Sequence, residues 1–256
     1  MDKLKLALIK VYPKKGNLAG NHALLMDILS EVAPHRPDVV ITPECFLDGY
    51  VASEDWVDRP GMAKFAVDPE DSGTMRDVRD FALRQACWVI DGLTRRSEQG
   101  VFNSALVINR TGEIAGIYDK THIQTHDIKF QRGTSLPVFA SDFGPFGVMI
   151  CAERRWPETV RTLALKGARI IFNPTYGMHD KRNQHMMQTR SYESEVVIAF
   201  CHPGQSLVTG PRGEILCSNQ NPGDRFTLCD VDLHAVDELR NGPSAHLRDR
   251  RRDLYL

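Results

Sequence analysis

None of the six cysteines, Cys45, Cys87, Cys151, Cys201, Cys217 and Cys229, pairs with another in a CxxC spacing or falls into a regular series. That absence argues against both a disulfide framework and a zinc site. No apolar run approaches transmembrane length. At the start, Met1-Asp2-Lys3-Leu4-Lys5 leads straight into a short alternating segment and not into the apolar stretch of a secretory signal. An excess of either charge is also missing: 32 Lys and Arg against 33 Asp and Glu leave a formal net charge of -1. Such a chain gives no reason to expect a nucleic-acid or anionic-membrane partner. Its one basic run, Arg248 to Asp253, is interrupted by aspartates and reads as a solvated or interface segment. There is no G-x-S-x-G elbow, no phosphate-binding loop and no G-x-G-x-x-G fingerprint, so serine-hydrolase and nucleotide-fold readings lack support. His179, His185 and His202 make no metal-ligand pattern with nearby carboxylates and are expected in surface or core roles. These gaps leave a cytoplasmic protein with free thiols.

What is present is a 256-residue chain, 42% hydrophobic, long enough for one large core or two small ones. With no Gly/Ser linker, low-complexity tract or internal repeat, it reads as one α/β domain over 1–256. Strands are expected over Leu4 to Val11, Val39 to Thr42, Trp88 to Ile90, Phe102 to Asn109 and Ile114 to Tyr118, then Val148 to Ile150, Ala168 to Phe172 and Val196 to Cys201. Ser206 to Leu216 reads as a hairpin around Gly210-Pro211-Arg212-Gly213, Arg110-Thr111-Gly112-Glu113 as the turn of another, and Phe226 to Val231 as a closing strand. Helices are expected over Asn21 to Val32, Thr74 to Ala86, Glu158 to Lys166 and Lys181 to Glu193.

Chemistry enters at Gly147-Val148-Met149-Ile150-Cys151-Ala152-Glu153-Arg154-Arg155-Trp156-Pro157-Glu158. An apolar strand delivers a single cysteine to a charged turn, with Pro157 in the first turn of the next helix. A helix N-terminus and nearby arginines would favour thiolate over thiol. An isolated cysteine there is otherwise a buried structural residue. Two more strand ends carry charge: Glu44 after Val39-Val40-Ile41-Thr42-Pro43, and Lys120 after Ile117-Tyr118-Asp119. If the strands are neighbours, a carboxylate, an ammonium and a thiol converge at one edge of the sheet. The carboxylate can act as general base toward the thiol and later toward water. The ammonium can lower the thiol pKa and meet an oxyanion, with the Ala152 N–H as a second donor. Cys45, beside Glu44, reads as small packing.

These motifs resemble those of the nitrilase, or carbon–nitrogen hydrolase, superfamily. Pro43 to Tyr50 is similar to its glutamate motif, Tyr118-Asp119-Lys120-Thr121-His122 to its lysine motif, and Ile150 to Glu158 to its cysteine motif. Asn103-Ser104, Asn173-Pro174-Thr175, Arg190 to Glu193 and Arg251 to Tyr255 agree as flanks. The resemblance implies a single-domain α-β-β-α sandwich that forms four layers on dimerisation, with the C-terminal segment from about 240 to 256 at an oligomer interface. It implies a Glu44–Lys120–Cys151 triad and a thioester on Cys151, without cofactor, and a homodimer or larger homo-oligomer. Two departures stand out. No glutamate lies between Lys120 and Gly133 where the family carries its second one; His126 and Asp127 are the nearest candidates to replace it. Glu153 stands where aspartate is common, with little consequence expected.

For substrate, the cysteine motif most resembles the N-carbamoyl-amino-acid amidohydrolase branch, which carries two arginines here. Arg154 is expected to clamp a substrate carboxylate; Arg155 is either part of the site or a structural ion pair. Asn173 and Asp127 are further candidates for substrate binding. His122 either lines the pocket or holds structure, Glu193 is a candidate buried carboxylate near the site, and Trp156 is expected to pack at a helix start. The leading expectation is a hydrolase of small amides or N-carbamoyl compounds. A nitrile hydrolase on the same triad and a silent binding protein of the same fold are the alternatives.

Overall fold

Strands buried on both faces read as continuous apolar runs, and this chain builds two sheets around such strands. The computed structural model describes residues 2–255, so Met1 and Leu256 of the expected 1–256 domain lie outside the described residues. In β1 (Lys3–Ile9), Leu4, Leu6 and Leu8 point to one core while Ala7 and Ile9 point to another. β2 (Val39–Ile41) does the same, with Val39 and Ile41 opposed to Val40. β3 (Trp88–Ser97), β4 (Gly100–Ile108) and β5 (Ile114–Asp119) extend this sheet. The second sheet takes β6 (Val138–Phe139), β7 (Phe146–Val148), β8 (Ile170–Pro174), β9 (Val197–His202), β10 (Gln205–Thr209) and β11 (Ile215–Asn219). β12 (Phe226–Asp232) returns to pair antiparallel with β1.

The strand orders are β12-β1-β2-β3-β4-β5 and β11-β10-β9-β8-β7-β6. β1, β2 and β3 run parallel in the first sheet, as do β7, β8 and β9 in the second. Between the sheets, Leu6, Ile41, Ile90 and Val107 face Val148, Phe172, Val197 and Val208 in one core. Helices α1 (Leu18–Val32) and α2 (Gly73–Gln85) cover the outer face of the first sheet, with Leu25, Ile28, Val78 and Phe81 buried against it. Helices α3 (Pro157–Leu165) and α4 (Lys181–Ser194) cover the second through Val160, Leu163 and Met187. This is the expected α-β-β-α layering. Among the described residues no helix is long and apolar enough to cross a membrane.

Three features depart from the sequence expectation. β3 runs to Ser97 and not only to Ile90, because its polar half is internally paired: Asp91 accepts from the Thr42 hydroxyl at 2.7 Å, and Arg95 pairs with Asp119 at 2.8 Å. β7 ends at Val148, short of Met149 and Ile150. After β12 come two helices that apolar periodicity did not reveal, α5 (His234–Asn241) and α6 (His246–Asp249). The start of α6 is held by Glu195, which is fully buried and accepts from the backbone N–H groups of His246 and Leu247.

Candidate active site

Glu44 leaves β2 on a turn pressed against β3. The Thr42 N–H donates to Ile90 O at 3.0 Å and the Phe46 N–H to Gly92 O at 2.9 Å. This approach needs glycine at position 92: a Cβ there would stand 2.4 Å from the Pro43 carbonyl oxygen and 2.9 Å from the Glu44 Cα. The Glu44 carboxylate is wholly buried. Its Oε1 accepts from Lys120 Nζ at 2.9 Å and Asn103 Nδ2 at 2.7 Å, and its Oε2 accepts from the Tyr176 backbone N–H at 2.9 Å.

Lys120 leaves β5 with its backbone fixed on both sides, donating to Asn103 O and accepting from the Gly133 N–H, each at 2.9 Å. Its Nζ also donates to Asp127 Oδ2 at 2.8 Å. Asp127 lies in a single 3-10 turn, Thr125–Asp127, and its Oδ1 accepts from the Tyr50 hydroxyl at 2.7 Å. Of the two candidates for the absent glutamate, Asp127 thus reaches the lysine, whereas His126 is exposed. Burial alone would lower the Lys120 pKa. The charge of Glu44, joined by that of Asp127 and its hydrogen bond, outweighs it and holds the ammonium above the ordinary lysine range.

Cys151 opens a separate 3-10 turn, Cys151–Arg155, with α3 starting only at Pro157. The expected helix N-terminus is therefore not beneath the sulfur. The residue takes φ 49°, a left-handed conformation that costs a non-glycine residue energy and recurs at functional sites. The thiol also departs from expectation. Burial first, then the Glu44 carboxylate, push its pKa up, and Lys120, Arg154 and the Tyr176 N–H offset this only in part. The resting group is a neutral thiol with a carboxylate nearby, and not the stabilised thiolate expected from the sequence. The three groups also meet differently: Glu44 and Lys120 hang from the first sheet and Cys151 from the second, so they converge across the sandwich and not along one edge.

Glu153 joins the two halves. It is fully buried and accepts from the Ile150 N–H at 2.7 Å, the Tyr118 hydroxyl at 2.7 Å, the Thr121 N–H at 2.9 Å and the Thr121 hydroxyl at 2.6 Å. Burial would raise its pKa, but the bonds from His122, Thr121 and Tyr118 prevail and keep it below the usual carboxylate range. The cysteine turn and the lysine turn are thus tied through one anion. The Ala152 N–H, next to the nucleophile, takes no acceptor among the described residues.

The Tyr176–Gly177 segment lies over the sulfur. A Cβ at Gly177 would stand 3.1 Å from Cys151 Sγ, and Gly177 itself is exposed. The Tyr176 carbonyl accepts from His202 Nε2 at 2.9 Å, while the Gly204 N–H donates to His202 Nδ1 at 2.9 Å. That pattern fixes one neutral tautomer. Burial, followed by the neighbouring His179, pushes His202 down to about 3.

The remaining candidates divide. Arg154 is buried, with Nε donating to Asn183 Oδ1 at 2.5 Å and Nη2 to Met178 O at 2.6 Å; its Nη1 has no hydrogen-bond partner among the described residues. Arg155 is exposed and donates to Gln124 Oε1 at 3.0 Å, a hydrogen bond in place of the alternative ion pair. Asn173 Nδ2 donates to Met149 O at 3.0 Å, bracing the segment before the nucleophile, and its buried Oδ1 has no hydrogen-bond partner among the described residues. His122 stacks on Trp156 with centroids 4.5 Å apart and bonds Thr121, so its structural alternative fits what is seen. Glu193 is not the buried carboxylate: it is partly exposed and paired with Arg190 at 2.9 Å, whereas Glu195 is the buried one, at α6. Asn103, Tyr50, Tyr176 and Glu153 were not singled out for the site by sequence. The local signal is an asparagine buried within the mostly apolar β4. Among the described residues no group of three or more His, Cys, Asp or Glu could hold a metal ion.

A family model described as carbon-nitrogen hydrolase matches residues 5–241. A nitrilase from Pyrococcus abyssi is 26% identical over 98% of this chain and 99% of its own length. An N-carbamoylputrescine amidase from Arabidopsis thaliana is 27% identical over 93% of this chain and 90% of its own. The fold matches that of an amidase from Nesterenkonia sp. AN1, with a TM-score of 0.78 over 99% of this chain and 96% of that one at 20% identity. That structure is a cysteine-to-alanine mutant in complex with butyramide. A second structure of the same amidase, a glutamate-to-leucine mutant at 21% identity with the same TM-score and coverage, carries the acetamide moiety of fluoroacetamide covalently at its active-site cysteine.

Proposed function

Because this chain belongs to the carbon–nitrogen hydrolase family, we propose that it cleaves the non-peptide C–N bond of a small amide or N-carbamoyl compound through a thioester on Cys151. The observation that carries this reading is the buried Lys120 ammonium bridging two carboxylates, Glu44 at 2.9 Å and Asp127 at 2.8 Å, beside a neutral buried thiol. As Sγ attacks the carbonyl carbon, Glu44 takes the thiol proton. The oxyanion that forms is met by the Lys120 ammonium and the free Ala152 N–H. Glu44 returns the proton to the departing amine, then takes one from the water that hydrolyses the thioester. Asp127 keeps the ammonium charged and aimed throughout. It thereby supplies a carboxylate in the stretch between Lys120 and Gly133 that lacks the family's second glutamate, which weighs against the silent binding-protein alternative.

The Arg154 charge, which acts on the Cys151 thiol, and its Nη1, without a hydrogen-bond partner among the described residues, favour a substrate that carries a carboxylate, as an N-carbamoyl amino acid does. An ammonia-release screen over aliphatic amides, nitriles and N-carbamoyl amino acids tests both levels of the reading. Release from amides or N-carbamoyl compounds is expected, with Arg154→Leu selectively losing the anionic ones. Silence across the panel, with Cys151 unreactive to iodoacetamide, would sink the enzyme reading. Release from nitriles alone would move it to the nitrile-hydrolase alternative.

We also propose that α3, α4 and the C-terminal segment from about 240 to 256 form a homodimer interface. Support comes from Leu165, Tyr192 and Tyr255, which are 43%, 52% and 63% exposed and line one groove with Arg161 and His246. Light scattering should give twice the 28.9 kDa chain mass; a stable monomer at micromolar concentration would refute it.

A further inference from the structure

β11 and β12 are the outermost strands of the two sheets at the same end of the sandwich, joined by the 220–225 loop that carries the chain from one sheet to the other. They face one another across the rim without forming a ladder. Asn219 Nδ2 donates to Thr227 Oγ1 at 3.0 Å. Side chains on one face of a strand recur every second residue, so two residues farther along each strand Cys217 comes opposite Cys229. Cys217 Sγ lies 4.0 Å from the carbonyl oxygen of Leu228, the residue before Cys229, and the two thiols shift one another's pKa in opposite directions. Both are free thiols. Cys229 is 5% exposed within the core between the sheets, and Cys217 packs against that core from the half-buried rim.

We propose that Cys217 and Cys229 are an oxidation site, a thiol pair that a peroxide closes into a disulfide stapling the two sheets together at their rim. Cys217 is the attacking sulfur. It is the more exposed of the two, and the neighbouring Cys229 lowers its pKa, which favours its thiolate. The neighbouring Cys217, and then burial, hold the Cys229 thiol protonated. In the first step the Cys217 sulfur attacks one oxygen of hydrogen peroxide and the O–O bond breaks. Hydroxide leaves, takes up the proton lost by Cys217 and becomes water, and Cys217 becomes a sulfenic acid. In the second step the Cys229 sulfur attacks that sulfenyl sulfur, the S–O bond breaks, and the hydroxyl departs as water with the Cys229 proton. Two thiols and one peroxide give one disulfide and two waters; the sulfurs lose the two electrons that the peroxide oxygens gain.

The sequence makes the product easy to read. Trypsin cuts after Arg212, Arg225 and Arg240, so Cys217 and Cys229 fall on separate peptides, 213–225 and 226–240, each with a single cysteine. After treatment of the intact protein with near-stoichiometric hydrogen peroxide and alkylation of remaining thiols, mass spectrometry should find these peptides joined and lighter by two hydrogens. Reduction should part them. Cys217→Ser should remove the linkage, and Cys229→Ser should leave Cys217 as a sulfenic acid that dimedone captures. Peroxide-treated wild type in which both cysteines stay open to alkylation would overturn the proposal. So would Cys217 advancing to sulfinic acid without any joined peptide. The peptide readout is independent of turnover, so it stands whatever becomes of Cys151 or of the proposed hydrolase activity.

Discussion

Cys151→Ala is expected to abolish turnover of every substrate the wild type processes, with kcat falling on the order of 10⁴-fold or more. No neighbouring group can take over. Cys45 is wholly buried, donating to Asn103 Oδ1 at 3.5 Å, and burial pushes its thiol well above the ordinary range. Alanine should fit the same backbone at a cost of about 1 kcal/mol, because only one buried sulfur is removed. Circular dichroism and the melting temperature should therefore change little while activity vanishes. Rapid-quench mass spectrometry of the wild type should trap an acyl group on Cys151, and the variant should bind substrate without forming it. The raised thiol pKa adds a pH signature. The thiolate becomes populated only as pH passes beyond the usual thiol range, so alkylation of the free enzyme by iodoacetamide should keep accelerating there. Retained turnover in Cys151→Ala would remove the thioester mechanism altogether.

The layering and the three motif positions were legible because both rest on local patterns. Doubly buried strands such as Val39–Ile41 leave unbroken apolar runs, and the charged residues at their ends are conspicuous. What escaped depends on contacts between distant segments. Asp127 is one carboxylate among many until the 121–133 loop folds it back onto Lys120, and nothing in its spacing separates it from the exposed His126. Glu153 looks like an ordinary acid after the nucleophile, yet its role comes from Tyr118 and Thr121, more than thirty positions earlier. The thiol pKa was misjudged for a similar reason. A helix start was counted as its environment, whereas burial and Glu44, brought in from the other sheet, dominate. The second half of β3 shows the reverse case: its polar residues hide a strand because their partners, Thr42 and Asp119, lie on neighbouring segments.

Glu44→Gln and Asp127→Asn should separate the two carboxylates that Lys120 bridges. Glutamine keeps the shape of Glu44 but cannot accept a proton, so both the attack by Cys151 and the hydrolysis of the thioester lose their base. A fall in kcat of about 10²–10⁴-fold is expected, with KM nearly unchanged. Asp127→Asn leaves Glu44 in place as base and removes only the second anchor of the ammonium and the acceptor of the Tyr50 hydroxyl. Its kcat should fall less, and KM should rise as the lysine and the Tyr50 wall lose their alignment. In each variant one carboxylate still pairs with Lys120. The stability loss should thus stay below the roughly 3–5 kcal/mol seen when a buried charge loses its partner outright. Removing both carboxylates together strands the ammonium, and that double variant should lose more stability than the sum of the two. Glu44→Gln with activity within tenfold of wild type would place the general base elsewhere. Asp127→Asn matching Glu44→Gln in kcat, with KM unmoved, would mean that Asp127 shares the proton transfer and does more than hold the lysine.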